Sequence, residues 1–445
     1  MTERVTVSGV FERRDVRLSA LVYLLSTLVF VAFLRPGAAT QHTPFNHYAL
    51  LAEAWLHGRL DLGGPPPAYA GNNDFAWFEG RTFVVFPPLP ALVLAPFVAL
   101  SGSAAAVPDA LVFALFAGFA PAFLFLALEK LGRLGRSSLS TRAHLALSFC
   151  FAFGSVYFFS AVQGTVWYAA HVVGTTLGAL YLFLALGADR PLSAGVALGL
   201  AFLARTPLIF AAVLFLAELI RRETPSGAPC PLKAPLGFVR ALPGRVLGAS
   251  LFCFAVPLAL VIALVCAHNQ ARFGEPFEFG YRYLRIAWHE RIERWGLFDY
   301  HYLAKNLGVI LTSLPWVPGS NGAPFQINHH GLALWITTPF YLALLGAGPL
   351  RREPGLWLAL LAAALPSLFY QNTGWVQFGY RFSNDYAPFL FALLAVYGVR
   401  WRGSFGLLAV VAVAINAFGA WTFARDEYQR FYFTDPTQRV LYQPD

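Results

Sequence analysis

FVVFPPLPALVLAPFVAL, residues 83 to 100, is apolar enough to enter a membrane and carries Pro87, Pro88, Pro90 and Pro96. Whether it crosses decides on which side every later loop lies. The prolines remove backbone donors and fix φ, so an unbroken lipid-facing helix is not expected there. We read the stretch as re-entrant. The rest of the chain makes the question a membrane question: of 445 residues, 57% are hydrophobic and only 12% charged, with mean hydropathy +0.56. A soluble protein carries about a quarter charged residues. A secreted disulfide scaffold, a disordered chain and an ordinary cytosolic enzyme are excluded, and length counts crossings instead of soluble domains.

Apolar runs of spanning or near-spanning length are 18 to 34, 105 to 131, 142 to 160, 167 to 187, 246 to 267, 329 to 350, 355 to 370, 384 to 399 and 404 to 424. The first follows Arg13, Arg14 and Arg17 and reads as an uncleaved crossing. A further stretch, 191 to 221, is broken at Arg205, Thr206 and Pro207. It leaves two pieces of about 15 residues, each roughly 22 Å against a hydrocarbon core of about 30 Å. If 83 to 100 does not cross and 191 to 221 forms a short pair, Lys130/Arg133/Arg136/Arg142, Arg221/Arg222/Lys233/Arg240/Arg245, Arg351/Arg352 and Arg400/Arg402 share the side of Arg13, Arg14 and Arg17. That arrangement obeys the positive-inside rule.

The expected fold class is therefore all-α, a polytopic transmembrane helical bundle. It forms a single transmembrane domain over 1–445 with about 11 crossings, N-terminus inside and C-terminus outside. The outer segments are 35–104 (first outer loop), 161–166, 268–328 (second large outer loop), 371–383 and the tail from 425. The net charge of +9 is spent in these orientation clusters, so no nucleic-acid partner is expected. The four cysteines show no CxxC and no Cys/His metal spacing, so neither a disulfide nor a zinc site is implied.

The outer segments hold the candidate chemistry. FNHYALLAEAWLHGRLDL, Phe45 to Leu62, scans as a helix with Asn46, Glu53 and His57 on one face and Tyr48, Ala52, Trp55 and Leu56 on the other. It is either an interfacial anchor lying on the membrane or a helix that aims Glu53, His57 and the following Asp61 into a cavity. Asp74 and Glu79 come next, before the prolines. Arg205, inside the membrane, must face protein, water or an anion, and suits a phosphate. Trp167 and His171 are one helical turn apart, serving as an interface anchor or as a stacking surface for a sugar. Arg282 and Arg285, flanked by Tyr281 and Tyr283, are either part of a solvated ion-paired helix or a grip on a lipid pyrophosphate. Gln377, Tyr380, Arg381 and Asp385 precede a crossing, where Arg381 and Asp385 at i, i+4 could pair. His329 and His330 lack a carboxylate at ligand spacing, which makes a metal site there weak.

An acidic first outer loop, a helix ending at Gly58, GRTFVVFPPLP from Gly80 to Pro90 and LGLAFLARTPL from Leu198 to Leu208 together resemble the GT-C superfamily of integral membrane glycosyltransferases. The resemblance is to the family 39-like group of protein mannosyltransferases and aminoarabinose transferases, and it covers about the first half of the chain. NTGWVQFGYRFSNDYAPFLF, Asn372 to Phe391, resembles uncharacterised bacterial members. The resemblance implies inverting transfer of a sugar from a polyprenyl-phosphate donor to a lipid, glycan or protein acceptor, at the outer face of a bacterial cytoplasmic (inner) membrane. Where that family begins its loop helix with Asp, this chain has Asn46 and His47. An amide cannot accept the acceptor's proton. Glu53, Asp61, Asp74 or Glu79 would have to act as base, with Asn46, His47, His57, Trp167, His171, Arg205, Tyr281, Arg282, Arg285, Gln377, Tyr380 and Arg381 as substrate contacts. No cofactor is certain, and a divalent cation is left open. The other reading is a non-catalytic protein on the same scaffold, a carrier of lipid or solute or a scaffold subunit. No GxGxxG or GxxxxGK[ST] is present for a nucleotide. A reporter fused after Ser137 is expected to be cytoplasmic; a periplasmic signal would reverse every loop after the proline stretch.

Overall fold

The computed structural model describes residues 12–71, 74–225, 243–286, 288–320, 322–346, 348, 352–399, 401 and 403–434. Cys230 and the basic residues Lys233, Arg240, Arg351, Arg400 and Arg402 lie outside the described residues. Among those described, five helical segments are long and apolar enough to cross a membrane: Arg13–Ala32, Asp109–Arg133, Val166–Ala188, Gly244–Phe273 and Ser404–Thr422. Each falls on an apolar run read from the sequence. Shorter apolar helices, Leu89–Ser101, Pro191–Ala204, Pro354–Leu368 and Ala387–Tyr397, fill the spaces between them. The chain is a mostly helical, multi-pass membrane protein.

The Val166–Ala185 helix is the axis of the bundle. It is apolar all round, as a helix surrounded by others must be, and only Trp167 and Leu180 escape full burial. On one side it packs against Phe119–Arg133 and on another against Pro191–Ala204. The latter packs in turn on Gly244–Phe273 through glycines. A Cβ at Gly195 would stand 2.2 Å from the Phe254 carbonyl oxygen, and one at Gly199 would stand 3.0 Å from Val261 Cγ2. Small residues permit this backbone approach, which is how helices associate where lipid removes the hydrophobic drive.

The proline stretch is short of a crossing. Arg81–Val84 pairs antiparallel with Phe75–Phe78, and the chain then turns through Pro87 and Pro88 into the Leu89–Ser101 helix. Thirteen residues make about 20 Å, against about 30 Å of hydrocarbon. Pro90 sits in the first turn, where no amide hydrogen is needed. The helix returns over His47–Leu56, which buries seven of its ten residues instead of keeping a wet face. One other expectation changes. The run 329 to 350 is not one helix: it holds the short Leu334–Thr337 helix and a 3-10 turn, Pro339–Leu344, broken where Pro339 cannot continue the ladder. Before it, Ile327–Asn328 pairs in parallel with Tyr432–Phe433.

The charges read as orientation signals also hold the bundle together. Lys130 Nζ donates to Asp189 at 2.7 Å, Arg133 pairs with Asp15, and Arg136 lies between Glu218, at 2.9 Å, and Glu353. Replacing Gly195 by Val should force the Pro191–Ala204 and Gly244–Phe273 helices apart. A loss of about 1–3 kcal/mol, read as a lower melting temperature in detergent, is expected, with little change for Gly248→Val, whose Cβ position is open.

Candidate functional site

The helix that begins at Pro191 stops at Ala204, because Pro207 has no amide hydrogen and Arg205 is extended at φ −144° and ψ 104°. The Arg205 side chain crosses the Val166–Ala185 helix at Gly174, where a Cβ would lie 2.4 Å from Arg205 Cγ. It ends on Asp385, to whose carboxylate its Nε and Nη2 donate at 2.9 and 2.6 Å. The Asp385 side chain is fully buried, while 18% of Arg205 remains accessible. His171 Nδ1 stands 3.3 Å from the same carboxylate without hydrogen-bond alignment.

Arg205 lines a cavity of about 930 Å³. Its walls come from the first outer loop, the start of the Val166–Ala185 helix, the break after Pro191–Ala204, residues 279–298, residues 366–382 and the turn at Phe423 and Ala424. The loops are fastened to one another. Ala76 bridges to Leu284, Arg272 Nη1 donates to the Val84 carbonyl at 2.9 Å, and the Tyr168 hydroxyl donates to the Val376 carbonyl at 2.7 Å. Most of the lining is aromatic or aliphatic. Its charges are four arginines, Arg35, Arg205, Arg285 and Arg381, and one carboxylate, Asp74.

Asp74 sits just before the Phe75–Phe78 strand in the left-handed region at φ 57°, which Asp tolerates better than most side chains. Its Oδ2 accepts from Trp167 Nε1 at 2.7 Å. Burial raises its pKa from the ordinary carboxylate value, opposed by the Trp167 N–H and by the charge of Arg381. A carboxylate shifted upward in a water-poor cleft is suited to take a proton.

The residues singled out by sequence divide clearly. Asp74, Trp167, His171, Arg205, Tyr281, Arg285 and Arg381 line the cavity. Trp167 does so while holding Asp74. Glu53, half-buried, and His57, exposed and bonded through Nδ1 to the Glu53 carbonyl at 2.8 Å, do not. Asp61 Oδ1 accepts from the Gly63 amide at 2.6 Å in a local turn. Glu79 and Gly80 have φ 48° and 75°, the turn of a two-residue hairpin, which puts Glu79 at an exposed tip. Asn46 is buried, donating to the Ala104 carbonyl at 3.3 Å and accepting from the Tyr69 hydroxyl, and His47 stacks on Phe75 at 4.2 Å. Arg282 is exposed and paired with Glu275 and Glu278. Gln377 donates to the His330 and Thr373 carbonyls and accepts from the Arg381 amide, and the Tyr380 hydroxyl reaches Ser367. Both support the loop that carries Arg381.

Asp385 pairs with Arg205 and not with Arg381, although the i, i+4 spacing suggested the latter. Arg35 went unnoticed in the sequence. The signal was available: a single Arg directly follows the first apolar run. Among the described residues no three His, Cys, Asp or Glu side chains are grouped as a cation would need. The described lining of the cavity offers one carboxylate, already bonded to Trp167, among four guanidiniums, where a divalent cation takes several oxygen ligands.

No protein-family model matches the chain, and no curated protein matches it in sequence. Solved structures do match. The Archaeoglobus fulgidus oligosaccharyltransferase in its apo form aligns at TM-score 0.52 and 15% identity, over 95% of this chain and 56% of that one. The same protein tethered to an acceptor peptide containing the NVT sequon aligns at TM-score 0.50 and 15% identity, over 94% and 56%. The likeness is one of fold. The chain spans about half the length of the structures it matches. Within this fold the Arg205–Asp385 pair is a buried contact whose rupture can be measured. Asp385→Asn should cost about 3–5 kcal/mol by leaving Arg205 uncompensated. The double change Arg205→Met, Asp385→Leu should recover much of that in a thermal melt.

Proposed function

We propose that this chain is an inverting membrane glycosyltransferase that moves a sugar from a polyprenyl-phosphate donor to a hydroxyl acceptor at the outer face of a bacterial cytoplasmic membrane, with its N-terminus inside. The observation that carries the reading is the cavity's charge pattern, one part-buried carboxylate among four arginines in a mostly apolar chamber. A lipid-linked sugar phosphate needs an apolar wall for its chain, cations for its phosphate and a base for the incoming hydroxyl. The GT-C-like fold supports the reading, and the matched oligosaccharyltransferase with its tethered acceptor peptide makes a peptide one acceptor to test.

In this mechanism Asp74 takes the proton of the acceptor hydroxyl while that oxygen attacks the anomeric carbon. The bond from that carbon to the donor's phosphate oxygen breaks, and its electron pair leaves with the phosphate. Trp167 occupies Asp74 Oδ2, which leaves Oδ1 for the proton. Arg205 and Arg285 receive the charge that develops on the leaving phosphate, and the fixed guanidinium of Arg205 does so without reorganising. Arg205 is held in place for this by Asp385. Glu53, Asp61 and Glu79 take no part.

With labelled undecaprenyl-phosphate sugar, Asp74→Asn should lower transfer by about 100-fold or more, while the amide variants of Glu53, Asp61 and Glu79 keep it. Transfer that survives Asp74→Asn would remove Asp74 from the mechanism. If every variant and the wild type bind the lipid and none transfers sugar, the chain is a carrier or scaffold on the same fold.

The pH dependence gives a separate check. The base works deprotonated, so activity should fall as pH drops through the raised Asp74 pKa. Trp167→Phe removes a donor that favours the carboxylate, so the acid limb of kcat/KM should move to higher pH. A purely structural role for Trp167 would lower activity without moving that limb.

A further inference from the structure

Arg205 has Asp385, but Arg35, Arg285 and Arg381 have no carboxylate partner among the described residues. Arg285 is exposed over the Trp77 ring, where water can solvate it. Arg381 is different: it is only 7% exposed, its Nη1 is turned back to the Gly374 and Val376 carbonyls at 2.5 and 3.0 Å, and its buried Nε has no hydrogen-bond partner. Arg35 is part-buried, with Arg425 and Asp426 in electrostatic reach; it gives Nη2 to Gln163 Oε1 at 2.5 Å, and its Nε has no hydrogen-bond partner. Neither guanidinium has a carboxylate at ion-pair distance among the described residues, and in a cavity wall a ligand anion is the complement that would supply one.

The two lie on the base's side of the chamber. Arg381 covers the Tyr168 ring at 5.1 Å, and Arg35 lies within electrostatic reach of the Tyr168 hydroxyl. Arg381 is also the arginine whose charge reaches Asp74. Arg205 lies over the Phe382 ring at 5.3 Å, next to the Thr206–Ala211 turn that carries the exposed Phe210. That is the side on which a prenyl chain can lie. Four guanidiniums face two carboxylates, Asp74 and Asp385, and one donor phosphodiester still leaves positive charge over.

We propose, building on the transferase reading, that Arg35 and Arg381 form a second anion subsite, which holds a phosphate or carboxylate carried by the acceptor. The acceptor is then an anionic hydroxyl compound, bound with its charge on these two arginines and its hydroxyl at Asp74. The donor phosphate occupies Arg205 and Arg285 at the same time.

The test uses the full chain in phosphatidylcholine nanodiscs, with glycerol 1-phosphate as the acceptor-side probe and undecaprenyl phosphate as the donor-side probe. Glycerol 1-phosphate should bind the wild type even when undecaprenyl phosphate is saturating. Arg35→Gln should weaken it about tenfold or more and leave undecaprenyl phosphate binding unchanged, and Arg285→Gln should do the reverse. Displacement of glycerol 1-phosphate by phosphatidylglycerol would identify a lipid acceptor and lack of displacement a soluble one; either supports the subsite. Competition between the two probes, no binding of glycerol 1-phosphate, or binding indifferent to Arg35→Gln would overturn it. If undecaprenyl phosphate fails to bind while glycerol 1-phosphate binds through Arg35, the transferase reading falls and the anion subsite stands.

Discussion

The Arg205–Asp385 pair is the constraint on which the chamber depends. Its two side chains come from positions 180 residues apart and meet across the central helix, at the one point where Gly174 leaves room for them to pass. Taking both charges out of water is expensive, and only a two-point contact with the full carboxylate offsets it. The pair fixes the break between two short helices to the start of the Ala387–Tyr397 helix. Thr175 Oγ1, donating to the Asn384 carbonyl at 3.1 Å, and Asn384 Nδ2, donating to Ser160 Oγ at 3.0 Å, lock the same segment against the bundle. A guanidinium anchored in this way is a preorganised charge, which is of more use to a reaction than a mobile one.

Around that fixed point the loops decide what kind of chemistry is available. The Phe75–Phe78 and Arg81–Val84 hairpin is held by Leu284 and Arg272 of a segment some 200 positions further on, and this closure delivers Asp74 to Trp167. Asn46, which precedes the His47–Leu56 helix, is a buried structural amide. Asp74, further along the same loop, stands where burial raises its pKa and one tryptophan holds it. Arginines supply the positive charge of the chamber.

Local chemistry made a good part of this legible. Hydropathy located the long helices, since a segment in lipid must satisfy its own backbone and can hide few charges. The break at Arg205 follows from Pro207, and the shortness of Leu89–Ser101 from its prolines. Arg205, Asp74 and Trp167 were visible because a charge inside an apolar run, or a carboxylate and an indole in an outer segment, stands out from its surroundings. The run at 329 to 350 shows the limit of composition: it is apolar enough for a span, yet Pro339 and the pairing of Ile327–Asn328 with Tyr432–Phe433 divide it.

By itself, then, the sequence determined that the chain lives in a membrane, where its helices start and break, and which residue types could do chemistry, because these depend on neighbours within a turn or two. The tertiary structure alone decided that Asp385 serves Arg205 and not the nearby Arg381, that Arg285 faces the chamber while Arg282 faces its own glutamates, and that Asp74 is the one acid of four to reach it. Those choices rest on contacts closed between segments one to two hundred residues apart. No local periodicity encodes which of several equivalent side chains such a closure will bring inside.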